Sequence, residues 1–298
     1  MDIERTTIRK VLTRTSGYLT TVTSHSLQPY CGCTLGSSLC GVGCYVRHNR
    51  MLTRGREWGT FLEARENAAE SYLEHVERER AWARRSPAGE FSIFLSSSTE
   101  PFLPQEARLG VTARVLEAMT TEPPDSLVVQ THSHRVTGAL DRLRDLSSRT
   151  RLRVHVSIET DRERIEGLPP HGSPVERRFE AVQELREAGI PVVVTVSPLL
   201  PIRDPERFFA RIAGAADAVV LDHFIGGDGS PDGRRTRATP LPSAMESVEP
   251  GSSTLAYRRR MIEIAWRHQP GRVGVGIDGF AGRYLSRPDE LEEPEASD

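Results

Sequence analysis

The stretch LRVHVSIET, residues 152–160, alternates without a break: Leu152, Val154, Val156 and Ile158 fall on one face of a strand, and Arg153, His155, Ser157 and Glu159 on the other. In a barrel ringed by helices the apolar face packs outward against those helices, which leaves His155, Ser157 and Glu159 pointing into the lumen. The same split recurs along the chain. Thr195 and Ser197 interrupt the valine run of 191–197, Gln130 and His132 share a face after Val128, and Ser96 and Ser98 continue the register of Ser92. A closed eight-stranded barrel fills its centre with branched apolar side chains, so a polar lining predicts a wetter, partly open barrel with a ligand inside. The competing arrangement is an open doubly wound sheet whose polar residues lie at the surface.

Working outward, period-two apolar runs alternate with amphipathic stretches, the pattern of a parallel sheet with crossover helices. Strands are predicted at 18–26, 91–96, 126–132, 152–160, 191–197, 218–224 and 272–277, and helices at 57–85, 104–120, 136–148, 174–188, 205–213 and 254–268. The fold class is therefore α/β, a partial (β/α)6 barrel of the TIM type. Ser173, Pro174 and Glu176 read as N-cap, N1 proline and capping-box acid, and Gly189 sits where that helix must stop. Residues 1–17 read as an N-terminal extension, 18–225 as the barrel, 226–287 as a Gly, Pro and Ser-rich loop followed by a helix and strand that complete it, and 288–298 as an acidic tail.

Composition excludes several classes. With 37% apolar and 27% charged residues in 298, the chain has a real core and is not disordered. The apolar run 190–200 is about half of the roughly 20 residues that a spanning helix needs, so no membrane segment is expected. The opening Met1-Asp2-Ile3-Glu4-Arg5 has neither the basic start nor the apolar core of a secretory signal, and a cytoplasmic location is expected. A net charge of −2 gives no sign of nucleic-acid binding, although it leaves room for a local basic groove. Lys10 is the single lysine, which points to a GC-rich genome. Arg234, Arg235 and Arg237, with Arg258, Arg259 and Arg260, read as solvated faces.

All four cysteines, Cys31, Cys33, Cys40 and Cys44, fall in a short stretch that also holds Gly32, Gly36, Gly41 and Gly43. Clustered thiols in a cytosolic chain point to metal ligands or redox groups rather than structural disulfides. Structural zinc uses paired knuckles with two residues between cysteines, usually as two separated half-sites, and neither feature is present. An iron-sulfur cluster suits the pattern better, because glycine lets the backbone wrap closely and aim its amides at cluster sulfurs.

From Pro29-Tyr30-Cys31-Gly32-Cys33 through Cys40 to Cys44-Tyr45, the loop resembles the cluster loop of radical S-adenosylmethionine (radical SAM) enzymes, in the branch of spore photoproduct lyase and the DNA repair photolyases. The segment Ser98-Thr99-Glu100-Pro101-Phe102-Leu103-Pro104 is similar to that branch's segment after its second strand. Val156 to Thr160, Ala188 to Pro191 and Ser197 to Pro201 follow its later strands in order. The spacing departs from the family: six and then three residues separate Cys33, Cys40 and Cys44, where the family has three and then two, and Gly43 replaces an aromatic residue.

The resemblance implies a radical SAM barrel with a [4Fe-4S] cluster held by Cys33, Cys40 and Cys44. Its fourth iron stays open for S-adenosylmethionine, which is cleaved reductively to a 5'-deoxyadenosyl radical that abstracts hydrogen. Cys31 is extra: a replacement ligand, a catalytic thiol hydrogen donor, or a loop filler. Ser98 and Glu100 are suited to the cofactor's ammonium, Ser157 and Glu159 to its ribose or ammonium, and Ser197 to its adenine. His132 and His223 stand near strand ends, where a lone histidine is more often structural. A reductant such as ferredoxin or flavodoxin is implied as partner, and the substrate is a DNA lesion, a peptide or a small molecule. The rival reading is a non-catalytic iron-sulfur or zinc protein, structural or carrier in role.

Overall fold

The structure, a computed structural model, describes residues 2–290. Its strands are β1 (Asp2–Thr6), β2 (Leu12–Arg14), β3 (His25–Leu27), β4 (Tyr30–Gly32), β5 (Phe61–Arg65), β6 (Ser92–Leu95), β7 (Ser126–Thr131), β8 (Arg151–Ser157), β9 (Val192–Val196), β10 (Ala218–Leu221) and β11 (Val273–Val275). The main sheet has eight strands in the order β11-β10-β9-β8-β7-β6-β3-β2. Every neighbouring pair is parallel except β2, which runs antiparallel to β3. Edge strands β2 and β11 do not pair with each other, so the sheet curls into an open barrel rather than a closed one.

The longer helices are α1 (Ala68–Arg85), α2 (Val111–Thr121), α3 (Leu140–Ser147), α4 (Val175–Glu187), α5 (Pro205–Ala215), α6 (Leu241–Val248) and α7 (Leu255–His268), followed by the short α8 (Gly276–Phe280). The outward face of β8 packs as the alternation requires. Leu152, Val154, Val156 and Ile158 join one apolar core with Phe179, Val182 and Leu185 of α4. On the inner side Phe94, Val128, Val193, Ala218 and Val220 form a second cluster that Phe280 of α8 caps. The floor of the lumen is therefore mainly apolar, with His155 set among these side chains, and most of its polar residues lie toward the C-terminal strand ends.

Several boundaries differ from the sequence pattern, each for a local reason. Residues 20–23 are β-branched, but in the 18–26 segment only the strand His25–Leu27 forms; Gly17–Thr21 is a 3-10 turn. Just before β3, Ser24 Oγ donates to the Ser92 carbonyl at 2.9 Å and Ser92 Oγ accepts from Ser24 N at 2.8 Å, so side chains replace the ladder there. The segment 57–85 splits into β5 and α1, because Phe61–Arg65 is paired on both edges, by β1 in parallel and β4 antiparallel. The 104–120 segment is cut at Gly110. Residues 2–17 supply an edge strand to each sheet, and the stretch 226–253 contains α6. Ser173 does not cap α4. Its hydroxyl accepts from His134 N, and Glu163 takes the free amides of Val175 and Glu176 at 3.2 and 3.1 Å. Part of the acidic tail, 291–298, lies outside the described residues.

One buried ion cluster ties β2 and β3 to α1. Glu79 of α1 is fully buried and meets Lys10 at 3.0 Å, Arg14 at 2.8 Å, His25 at 3.2 Å and Arg78 at 3.2 Å. Burial works to raise its carboxyl, but hydrogen bonds from Arg14, Lys10 and His25 outweigh that and hold it at about 2. A carboxyl depressed in the folded state contributes stability that is present above its unfolded value, about 4.3, and lost as pH falls through the folded one. Urea denaturation of wild type and Glu79→Gln across pH 2–6 should show an acid limb that is steeper in wild type; parallel limbs would remove Glu79 as its source.

Candidate active site

The cysteine loop opens at the end of β4. A 3-10 turn, Thr34–Ser37, and one helical turn, Leu39–Val42, absorb the six residues between Cys33 and Cys40. The two turns fold against each other so closely that a Cβ on Gly41 would overlap the Gly36 carbonyl, and one on Gly36 would lie 2.5 Å from the Gly59 amide nitrogen. Glycine at these crossings is what permits the long spacing. As a result Cys33, Cys40 and Cys44 all reach one cavity wall. Burial, followed by the neighbouring Cys40 sulfur, raises the Cys33 thiol well above its usual range and pushes Cys44 up to about 12. One buried and two half-buried thiols, with Cys33 and Cys44 shifted toward their neutral form, stay protonated unless cations bind them. Among the described residues no three His, Cys, Asp or Glu side chains close on one point as a single-ion site requires. A polynuclear cluster instead spreads its thiolates over separate irons.

Facing the thiols is the segment after β6. Ser96 has φ +69, an uncommon value for a residue with a Cβ, and its hydroxyl is buried without a partner. The turn it makes sends Ser97, Ser98 and Glu100 to the cavity wall. Gln28 fixes it by donating to Ser97 Oγ at 2.8 Å and accepting from Ser98 N at 3.3 Å, while Thr99 Oγ1 donates to the Gly32 carbonyl and Tyr45 to the Ser97 carbonyl. Glu100 accepts from Thr131 Oγ1 at 2.6 Å, His132 N at 2.7 Å and Phe102 N at 2.9 Å. Burial nonetheless pushes its carboxyl up, so it favours a cationic partner.

Behind Cys40 runs a line of charges. Arg178 of α4, 2% exposed, donates to Glu159 Oε2 at 2.7 Å and to the Ser157 carbonyl at 2.6 Å, and Glu159 Oε1 meets His132 Nδ1 at 2.8 Å. Burial pulls His132 down, but its contact with the Cys40 sulfur and with Glu159 carries it well above the usual imidazole range. Glu159 is held below the ordinary carboxyl range despite its burial, chiefly by Arg178 and then by His132.

The remaining wall of this cavity of about 340 Å³ is polar, with Gln130, Ser157, Ser197 and Asp222 above Phe94 and Phe280. Gln130 Nε2 donates to Ser157 Oγ at 2.8 Å and Thr195 Oγ1 at 3.1 Å, which leaves its buried Oε1 without a partner. Ser197 Oγ donates to Asp222 at 3.1 Å, and burial pushes that carboxyl up to about 6. Gly227 leaves room for this carboxylate: a Cβ there would lie 2.8 Å from Asp222 Oδ2 and displace it. Tyr18 and Tyr45, both partly exposed, flank the mouth.

The structure thus brings Cys33, Cys40, Cys44, Ser98, Glu100, Ser157 and Ser197 to one cavity. Glu159 stands one layer back, its carboxylate taken by Arg178 and His132. Cys31 is not in the cavity wall. It pairs across strands with Glu63, and its sulfur lies 3.8 Å from the Leu52 carbonyl oxygen. His223 caps the turn at Ile225, and His155 is buried in the floor beside Phe280, where burial lowers it to about 3. Sequence reasoning missed Arg178, Tyr18 and Asp222. The first had a readable signal, since Arg178 stands on the apolar stripe Val175, Phe179, Val182 of its helix. Asp222 follows directly on the apolar run 218–221, while nothing in the sequence marked Tyr18.

Residues 27–212, more than half of the chain, match the radical SAM superfamily, and the chain belongs to that family of enzymes. Among solved structures it is similar to spore photoproduct lyase. A mutant of that enzyme with bound AdoMet and dinucleoside spore photoproduct superposes with a TM-score of 0.60 at 13% identity, covering 92% of this chain and 81% of the other. The complex with dinucleoside spore photoproduct alone gives 0.59 at 13% identity over the same shares. At this identity the likeness establishes the shared fold. No curated protein sequence matches the chain. Among the described residues no helix is long and apolar enough to cross a membrane.

Removing one member of a buried ion pair strands the other charge, at a cost of about 3–5 kcal/mol. Arg178→Met should therefore destabilise the fold strongly, and adding Glu159→Gln should recover a large part of the loss in chemical denaturation. Equal stability of the single and double variants would show that the pair is not coupled.

Proposed function

We propose that the chain binds a [4Fe-4S] cluster through Cys33, Cys40 and Cys44, and S-adenosylmethionine through the wall formed by Ser98, Glu100, Ser157 and Ser197. In this reading it works in the cytoplasm with an external reductant such as ferredoxin or flavodoxin. The observation that carries the reading is the meeting of three thiols with a buried, cation-seeking carboxylate across one cavity. The orphaned Ser96 Oγ and Gln130 Oε1 supply further polar atoms in want of partners there. When bound, the cluster and cofactor together supply a carbon radical able to abstract hydrogen.

The chain's own residues do the rest. Glu100 offers its remaining acceptor positions to the ammonium, oriented by Thr131, His132 and Phe102. Ser157 and Gln130 form a hydrogen-bonding ledge for a ribose, and Ser197 with Asp222 stands ready for an adenine or for substrate. Phe94 and Phe280 keep the floor dry, which shields a reactive intermediate from water. His132, braced by Glu159 and Arg178, holds the Cys40 sulfur in place in the manner of an outer-shell ligand partner.

The substrate class is bounded by the wall itself, in which no arginine or lysine stands among the described residues. The cavity therefore accepts an uncharged or cationic group, and a nucleotide would have to leave its phosphates at the rim. A DNA lesion, a peptide and a small molecule all meet that condition.

Anaerobic reconstitution should give four irons and four sulfides per chain and release 5'-deoxyadenosine under dithionite. Alanine at Cys33, Cys40 or Cys44 should abolish both, and Cys31→Ala neither. Zinc in place of iron, or loss of the cluster in Cys31→Ala, would reject this assignment. Glu100→Gln should retain iron but bind S-adenosylmethionine roughly tenfold more weakly by equilibrium dialysis, the scale of one charge-assisted hydrogen bond. Unchanged affinity would move the ammonium elsewhere.

A further inference from the structure

Directly after the last cysteine, residues 45–56 read YVRHNRMLTRGR, with Arg47, Arg50, Arg54 and Arg56 and no acidic residue, in a chain whose net charge is −2. The segment forms a 3-10 turn, Tyr45–His48, and a helical turn, Arg50–Thr53. Arg47, His48, Arg50 and Arg54 are exposed, and between them Met51 is 88% exposed, the most exposed large apolar side chain among the described residues. Arg54 and Arg56 share the buried Glu63, whereas Arg50 forms no ion pair among the described residues. The turn Arg234–Arg237 packs beside Tyr45–His48, with Arg235 and Arg237 bonded to the Asp228 and Asp232 carbonyls, so the basic surface continues across two chain segments.

We propose that this surface, centred on Met51 and ringed by Arg47, Arg50, Arg54 and Arg235, is the docking site for an acidic one-electron carrier protein. The proposal rests on the assignment of the cluster to Cys33, Cys40 and Cys44. Those sulfurs face the cavity, Cys33 buried at 6% exposure and Cys40 and Cys44 half-buried, and the cavity mouth is the approach for cofactor and substrate. An electron from outside therefore has to arrive through the back of the loop. Residues 47–54 are that back: they follow Cys44, Tyr45 and Val46, which still line the cavity, whereas Arg47, Arg50, Met51 and Arg54 take no part in its wall. Arg47 also reaches the Gly41 and Val42 carbonyls, at 3.3 and 3.2 Å, which ties the patch to the loop that carries Cys40. Each transfer would move one electron: the carrier's anionic flavin hydroquinone becomes the neutral semiquinone with no proton released, and the cluster that Cys33, Cys40 and Cys44 would hold takes up the electron. A cationic ring steers an acidic partner and sets its orientation, and an adaptable apolar side chain at the centre supplies contact area. The exposed methionine favours a protein partner over a nucleic acid, whose phosphates gain nothing from it.

The test uses the reconstituted enzyme and a bacterial flavodoxin as probe, with calorimetric affinity as the first readout. Arg50→Glu and Met51→Asp are suited to it, since acidic residues favour a helix start, and Asn49 Oδ1, which accepts from Met51 N at 3.1 Å and Leu52 N at 3.4 Å, is untouched. Each variant should bind flavodoxin about tenfold more weakly, with the wild-type affinity falling as salt rises. Release of 5'-deoxyadenosine driven by dithionite should stay at the wild-type level while that driven by reduced flavodoxin falls in step with affinity. Unchanged affinity in both variants, or no wild-type binding at low salt, overturns the proposal. So does loss of duplex DNA affinity with flavodoxin binding intact. If dithionite yields no 5'-deoxyadenosine even in wild type, the cluster assignment fails, and the affinity measurement still decides the docking surface by itself.

Discussion

The close crossing of backbone at Gly36, Gly41 and Gly59 sets the terms for everything built above the barrel. Six residues between Cys33 and Cys40 would, as an extended chain, carry the two sulfurs far apart. Coiling them into two short turns that touch through glycine brings Cys40 back to the same wall as Cys33, with Cys44 one turn further on. The sheet then supplies the opposite wall, because parallel strands all end on one side. The turn at Ser96, the acid at Glu100 and the ledge at Gln130 and Ser157 come from successive strands of a single sheet.

Much of this was legible in the residues themselves. The alternation of 152–160 requires one apolar and one polar face, and the chain folds with Leu152, Val154, Val156 and Ile158 outside against α4 and Ser157 at the cavity. What the alternation cannot say is how deep along the lumen a side chain sits. His155 and Ser157 share a face, yet His155 lies in the apolar floor and Ser157 two residues later faces the cavity. Depth is set by the stagger between strands and by Phe280, which arrives from the far end of the chain.

The elements that escaped the sequence pattern are those whose partners are remote. β5 carries Glu63 and Arg65 within an otherwise helical-looking stretch, and it becomes a strand because β1 and β4 pair with its two edges. Glu163 caps α4 from twelve residues upstream of Val175, so no local capping rule would find it. The same holds for the site. Cysteine spacing marks a metal loop, whereas the distinction between Cys31 and Cys33 depends on strand β4, which turns Cys31 toward Glu63 and Leu52 and away from the lumen.

The floor closed by Phe280 has a further bearing on how the chamber is used. Gln130 and Ser157 share one cavity with Tyr18 and Tyr45, over a floor of Phe94 and Phe280. A vessel closed below by Phe280 has its opening above, so two occupants held together would have to stack, the deeper one entering first.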